Sequence, residues 1–233
     1  YYFSDVAIKA DDYSDAAIII PVKNEPRYAI DYVVEDILKN LPGASIIVIY
    51  KGHVEIGKKY LKRITLVKQK SDGKGAACYE ASKYADRDIM CFIDGDKTYH
   101  AKDLRKLINE VRNGTDLAIG NRMRNLKGSI MPFYIRFGNK MLTLTLNLLY
   151  GTNVKDSQTG LRAIRKSAFD LLNMSERYFG FEEEMLIKAK RKNLRISELP
   201  ISYSAREGIS KQFKPIDGLK LLGILFKHLA DSK

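Results

Sequence analysis

The tripeptide Asp94-Gly95-Asp96 carries the clearest chemistry in this chain. It follows a short apolar run, Ile89-Met90-Cys91-Phe92-Ile93, which reads as a buried strand ending where charge begins. Two carboxylates one residue apart in extended chain point the same way, because side chains alternate with period two. At the C-terminal end of a strand, such a pair can hold a hard divalent cation together with a substrate's phosphates. The same tripeptide also serves as an ordinary turn, so its neighbours decide the reading.

Three more polar clusters directly follow strand-like runs. Lys23-Asn24-Glu25 follows Ala16–Val22, Lys51-Gly52-His53 follows Ile46–Tyr50, and the Asp72–Gly75 loop follows Ile64–Val67. Helical spacing fills the gaps: Pro26–Asn40 (with Ile30, Val33, Val34, Ile37 and Leu38), Val54–Leu61, Gly75–Ala85 and Asp103–Arg112, before a fifth strand at Asp116–Gly120. Strands alternating with helices at this spacing predict an α/β layer around a mostly parallel sheet. Right-handed crossovers then bring the C-terminal strand ends to one edge, where the four clusters should converge.

With 233 residues, 45% of them hydrophobic, the chain can bury a full core, and one large domain is expected after a polar extension over residues 1–15. Net charge is +12, from 40 basic and 28 acidic residues, which points to a polyanionic partner. The basic residues gather in the second half among long aliphatic runs, without an RNA-recognition or helix-turn-helix pattern, so a phosphorylated substrate or anionic lipid is favoured over nucleic acid. Cys78 and Cys91 sit in apolar contexts and read as core residues, and no Cys/His spacing suggests zinc. No signal peptide and no uninterrupted apolar run of about 18–20 residues is visible, so this stretch reads as non-spanning.

After residue 121 the texture changes. Phe133–Tyr150 predicts a long helix with one polar stripe, Arg136, Asn139, Lys140, Thr143 and Asn147; the rest of its circumference is apolar, as burial or lipid contact requires. A second amphipathic stretch, Ile216–Leu229, puts Leu219, Leu222, Leu225, Phe226 and Leu229 on one face and Lys220 and Lys227 opposite.

Seven motifs in order resemble a known family over about residues 16–229. Pro21-Val22-Lys23-Asn24-Glu25 resembles the P-x-x-N-E opening of inverting, family-2 (GT-A) glycosyltransferases. Asp72-Gly73-Lys74-Gly75-Ala76-Ala77 resembles their GKGAA-like loop, Asp94-Gly95-Asp96 their D-x-D, and Ile119-Gly120-Asn121-Arg122 their G-S-R. Asp156–Arg162, Phe179–Glu182 and Arg206–Lys211 are similar to segments of the polyprenyl (dolichyl) phosphate hexose synthases. The resemblance implies a GT-A, Rossmann-like α/β fold with C-terminal amphipathic interface helices, a nucleotide-sugar half at 16–121 and an acceptor half at 122–233. It implies donor contacts from Pro21, Lys23, Glu25, Lys74, Asp94 and Asp96, with Asp94 near the ribose and Asp96 on Mg²⁺ or Mn²⁺. The loop's backbone N–H groups are expected to face anions at the helix start. Arg122, Arg162, Arg206 and Lys211 would meet an acceptor that is itself a phosphate. Asp156 would orient the acceptor or act as base, with Glu182 a second candidate.

Two segments depart from the family. An acidic V-D-D-G-S-like stretch normally follows the second strand, but here Ile49-Tyr50-Lys51-Gly52-His53 stands there; and Thr98 replaces the polar amide two residues after the D-x-D. The implied activity is transfer of a hexose from a nucleotide sugar (GDP-mannose or UDP-glucose/GlcNAc type) to a polyprenyl phosphate on the cytoplasmic face of an anionic membrane. The competing readings are a family-2 enzyme with a soluble saccharide or cell-surface glycan acceptor, and a basic module binding membrane or nucleic acid.

Overall fold

Alternate residues of the first strand, β1 (Ala16–Val22), feed two separate cores. Ala16, Ile18, Ile20 and Val22 pack against α1 (Arg27–Asn40) and α3 (Ala101–Arg112), whereas Ala17 and Ile19 face the opposite layer. That two-sided burial is why the strand is apolar at nearly every position rather than alternating. The computed structural model describes residues 12–124, 130–205 and 215–230. Among these, seven strands form one sheet in the order β3-β2-β1-β4-β6-β5-β7. Here β2 is Ser45–Tyr50, β3 Thr65–Lys68, β4 Ile89–Phe92, β5 Leu117–Asn121, β6 Arg162–Arg165 and β7 Ile196–Pro200. All neighbours pair parallel except β6, which is antiparallel to both β4 and β5. The second layer holds α2 (Lys74–Ser82), α4 (Phe133–Tyr150), α5 (Lys166–Leu172), α6 (Phe181–Arg191) and α7 (Pro215–Ala230).

Two sequence expectations fail. Val54–Leu61 is not a helix but an irregular segment followed by turns. Gly57 donates its N–H to Asp31 Oδ1 at 2.8 Å instead of to its own chain, and a Cβ there would lie 2.9 Å from Asp31 Oδ2. Nor are residues 12–15 a loose extension: Tyr13 is fully buried, its N–H meets the Pro42 carbonyl at 2.8 Å, and Asp15 pairs with Arg112 at 2.6 Å. Residues 1–11 lie outside the described residues.

Candidate functional site: a two-ended cleft

Strand order reverses between β1 and β4, and that is where an open α/β sheet places its ligand. The two strands pair only as far as Ile19 with Phe92. Pro21 lies beyond that point, so its missing N–H breaks no β1–β4 bond, and the strands part. A cleft of about 680 Å³ opens there. The polar clusters do converge on it: Pro21, Lys23, Glu25, Lys51, Asp72, Gly73, Lys74, Asp94 and Asp96 all line it. His53 does not; it is exposed and pairs with Glu55.

The two carboxylates of the tripeptide are held differently. Asp96 is nearly buried and accepts from the Thr98 hydroxyl at 2.6 Å and from the Thr98 N–H at 3.2 Å. Asp94 lies 2.7 Å from Lys74 Nζ, and the same ammonium lies 2.9 Å from Glu182. Burial alone lowers the Lys74 pKa, but Asp94 and Glu182 hold it well above its ordinary value. Room for this cluster depends on Gly160, where a Cβ would sit 2.7 Å from Asp94 Oδ2 and 3.2 Å from Lys74 Nζ. Among the described residues no group of three His, Cys, Asp or Glu side chains could cage a metal. Two carboxylates opening on one cleft nonetheless suit Mg²⁺ or Mn²⁺, whose remaining ligands can be phosphate oxygens and water. Asp96 and Asp94 would hold such an ion, which would supply positive charge beside a bound diphosphate.

The glycine loop departs from expectation. Gly73 takes φ 106°, and a Cβ there would lie 2.0 Å from the Arg177 carbonyl, so only glycine fits. This close approach commits two of the N–H groups at the helix start to protein: Gly75 donates to the Tyr178 carbonyl at 3.2 Å, and Ala76 to the Arg177 carbonyl at 2.9 Å. These two N–H groups are therefore already engaged by the chain. The positive charge that this loop brings to the cleft is the Lys74 side chain.

Away from the Asp94 and Asp96 carboxylates the cleft is lined by Ile130, Met131, Pro132 and Ile135, beside Arg122, Asn139 and Tyr203; Phe179 and Leu221 also line it. It adjoins α4, whose buried side mixes Leu142 and Leu146 with polar residues and whose exposed side is largely apolar. Asn139 and Thr143 are buried, while Phe133, Tyr134, Phe137, Met141, Leu144 and Leu148 are exposed. The polar stripe tethers the 152–158 loop, through Thr143 Oγ1 to Ser157 Oγ at 2.9 Å and Asn147 Nδ2 to the Val154 carbonyl at 2.8 Å.

Comparison with known proteins matches residues 17–172 to the family described as Glycosyl transferase family 2. The chain belongs to that family. A dolichyl-phosphate hexose transferase of Haloferax volcanii is 30% identical over 204 residues, which cover 85% of this chain and 87% of that protein. The low-salt glycan biosynthesis hexosyltransferase Agl6 of the same organism is 38% identical over 142 residues, 59% of this chain; the match spans only 34% of Agl6. Glucosyl-3-phosphoglycerate synthase from Mycobacterium tuberculosis, solved with Mn²⁺, UDP and glucosyl-3-phosphoglycerate, superposes with a TM-score of 0.69 at 18% identity, over 92% of this chain and 80% of that one. At that identity the likeness concerns the fold.

For a family-2 glycosyl transferase, this chain disposes its second-half cations and acids in an unexpected way. Arg122 lines the cleft, but its guanidinium is committed to Asp156, with Nε and Nη2 each at 2.7 Å, and lies 5.3 Å from the Tyr203 ring. Burial lowers the Arg122 pKa, yet Asp156 holds it well above the ordinary range. Asp156 is itself almost fully buried, does not line the cleft, and also accepts the Arg122 N–H at 3.0 Å. It is therefore placed to position Arg122 rather than to touch a substrate. Arg162, expected at the acceptor, is 1% exposed and donates to the carbonyls of Thr159, Glu182 and Ser157 at 2.9, 2.8 and 2.6 Å. It clamps the 157–159 loop to the start of α6 behind the cleft. Arg206 and Lys211 lie outside the described residues. Sequence reasoning missed Gln158, Tyr99 and Tyr203, which line the cleft. Gln158 lies within the Asp156–Arg162 motif, but nothing in its spacing announces that its amide is held by the buried Glu183.

Proposed function

We propose that this family-2 glycosyltransferase moves a hexose from a nucleotide sugar to a polyprenyl (dolichyl-type) phosphate at a membrane face, with inversion and with Mg²⁺ or Mn²⁺. The observation that carries the reading is the two-ended cleft. Its charged end, with Asp94, Asp96 and Lys74, suits a nucleotide diphosphate; its apolar end, with Met131, Ile135 and Leu221, suits an isoprenoid chain and opens beside the exposed apolar face of α4. Haloferax volcanii and Methanococcus voltae relatives named for dolichyl-phosphate transfer support the acceptor class.

In this reading Asp96 and Asp94 bind the cation on the diphosphate, and Lys74 adds positive charge beside it. Arg122, fixed by Asp156, faces the acceptor phosphate. A phosphate acceptor is anionic at neutral pH, so the step needs positioning more than a strong base. That agrees with a site whose acids are already engaged: Asp156 with Arg122 and Glu182 with Lys74. No described helix is long and apolar enough to cross a membrane. α4 would instead lie in the interface with its apolar side in the acyl region.

The test is incubation with radiolabelled GDP- and UDP-sugars, polyprenyl phosphate and Mg²⁺ or Mn²⁺, followed by counting of the organic phase. Label from one donor is expected there. Label that appears only on added water-soluble saccharides would replace this acceptor with a soluble one.

A further inference from the structure

Two neutral polar side chains of the cleft, Tyr99 and Gln158, meet on the loop that packs against its carboxylates. The Tyr99 hydroxyl accepts the Gly160 N–H at 2.8 Å. Gly160 lies against Asp94 and Lys74, so this oxygen borders the charged end of the cleft. The Tyr99 ring also meets Tyr203 edge-on, with centroids 5.3 Å apart, and Arg122 stands over Tyr203. Tyr99 therefore bridges the charged end and Arg122. It is 2% exposed yet lines the cleft, and among the described residues its own proton meets no acceptor. Burial holds the phenol well above its ordinary pKa, so it stays a donor. Gln158 is its complement. Both amide N–H groups are taken, one by Glu183 Oε1 and one by Ser157 Oγ at 3.2 Å, which leaves the carbonyl oxygen as the group it offers a ligand.

An in-line displacement places the transferred hexose between the leaving diphosphate and the incoming phosphate. Resting on the donor reading above, we infer that Tyr99 and Gln158 together read one hydroxyl of that hexose and so set which sugar is transferred. A sugar hydroxyl both donates and accepts. Tyr99 donates to it, and Gln158 Oε1 accepts from it. An ionised phosphate oxygen could use Tyr99, but it has no proton for the Gln158 carbonyl, so the pair suits the neutral sugar and not the diphosphate. A sugar with hydrogen at that carbon, or with the hydroxyl on the other face of the ring, leaves both protein groups unpaired in a buried place, and the site rejects it.

Calorimetry with Mn²⁺ tests this on the wild-type chain, Tyr99→Phe and Gln158→Met. It compares UDP and GDP with UDP-glucose and GDP-mannose, and then takes the four singly deoxygenated analogues of the sugar nucleotide that binds. Wild type is expected to bind one deoxy analogue about tenfold or more weakly than its parent, and the other three much like the parent. Each variant should bind the parent roughly 3–10-fold more weakly, no longer distinguish it from that one analogue, and bind bare UDP or GDP as wild type does. An equal loss for the bare nucleotide would put Tyr99 on the diphosphate and overturn the inference. Undiminished discrimination in both variants would overturn it too, as would a wild type that tolerates all four analogues. Tyr99→Phe also takes the partner from the Gly160 N–H, so melting curves accompany it; Gln158 is only half-buried and carries the test if the Tyr99 variant does not fold. Failure of wild type to bind any nucleotide or sugar nucleotide would sink the donor reading itself, whereas binding of UDP or GDP with no sensitivity to the sugar sinks this inference alone.

Discussion

At the scale of single residues, the central feature is that charge in the cleft is held in pairs before any ligand arrives. Asp96 leans on Thr98, Asp94 on Lys74, and Arg122 on Asp156. Asp96→Asn is expected to lower transfer by at least about 100-fold through loss of counter-charge on the leaving diphosphate, with an unchanged melting temperature. Retained transfer, or activity in excess chelator, would contradict the metal assignment. A second residue prediction concerns Glu183. Burial, with the neighbouring Glu182 charge second, pushes its carboxyl from 4.5 up to about 8, and one of its oxygens lacks a hydrogen-bond partner. The folded state therefore keeps a proton that the unfolded chain releases. Its contribution to stability is fully present below pH 4.5 and is lost as pH rises towards about 8. Glu183→Gln should then gain on wild type as pH rises; a relative gain of about 2 kcal/mol lifts the midpoint by roughly 4–8 °C. Melting curves at pH 5 and pH 9 that shift in parallel would refute the buried proton. The tripeptide was legible in the sequence because it ends an apolar strand run and other polar clusters follow neighbouring strands. Asp156 and Arg162 were legible as motif members, but not as buried ones: a guanidinium that serves three backbone carbonyls looks the same in sequence as one that awaits a phosphate.

At the scale of elements, α4 is the informative case. Its polar stripe is visible in the sequence, but periodicity does not say which way a stripe faces. Here Asn139 and Thr143 of the stripe are buried with Leu142 and Leu146, Thr143 and Asn147 meet the loop carrying Asp156 and Gln158, and Phe133, Phe137, Met141, Leu144 and Leu148 face out. On α7 the buried positions are Leu221, Leu225 and His228, so the face read from sequence is turned: Phe226 and Leu229 are exposed, Leu222 is half-buried, and the Leu219 side chain lies outside the described ones. Phe137→Glu with Leu144→Glu should release the protein from anionic vesicles without altering its thermal transition. Leu146→Ala, on the buried side, should cost about 2–5 kcal/mol and leave vesicle binding intact below the melting point. Flotation and melting curves on both variants separate these roles. If the double variant unfolds, that face belongs to the fold and not to an interface. The short β6 and β7 and the helices α5 and α6 were not read as elements from sequence: β6 is four residues bounded by arginines, and every position of β7 is half-buried, so neither shows a clean period.

At the scale of the molecule, the parallel half of the sheet was legible because βα repeats write their period into the chain. The antiparallel β6 was not, since it joins the sheet through partners distant in sequence. In the proposed reading, the net charge of +12 and the exposed apolar residues of α4 would act together on an anionic membrane. The charge part should fade with salt, because the Debye length is only about 8 Å at physiological ionic strength. The whole account rests on one claim, that a nucleotide-sugar end and a lipid-phosphate end meet in a single cleft. The most direct measurement offers the protein one labelled nucleotide sugar, vesicles and Mn²⁺, with polyprenyl phosphate, dephosphorylated polyprenol or a soluble saccharide as acceptor. The account predicts label in the organic phase with polyprenyl phosphate alone, abolished by chelator and by Asp96→Asn. Equal labelling of the dephosphorylated polyprenol, or labelling of the saccharide instead, would contradict it.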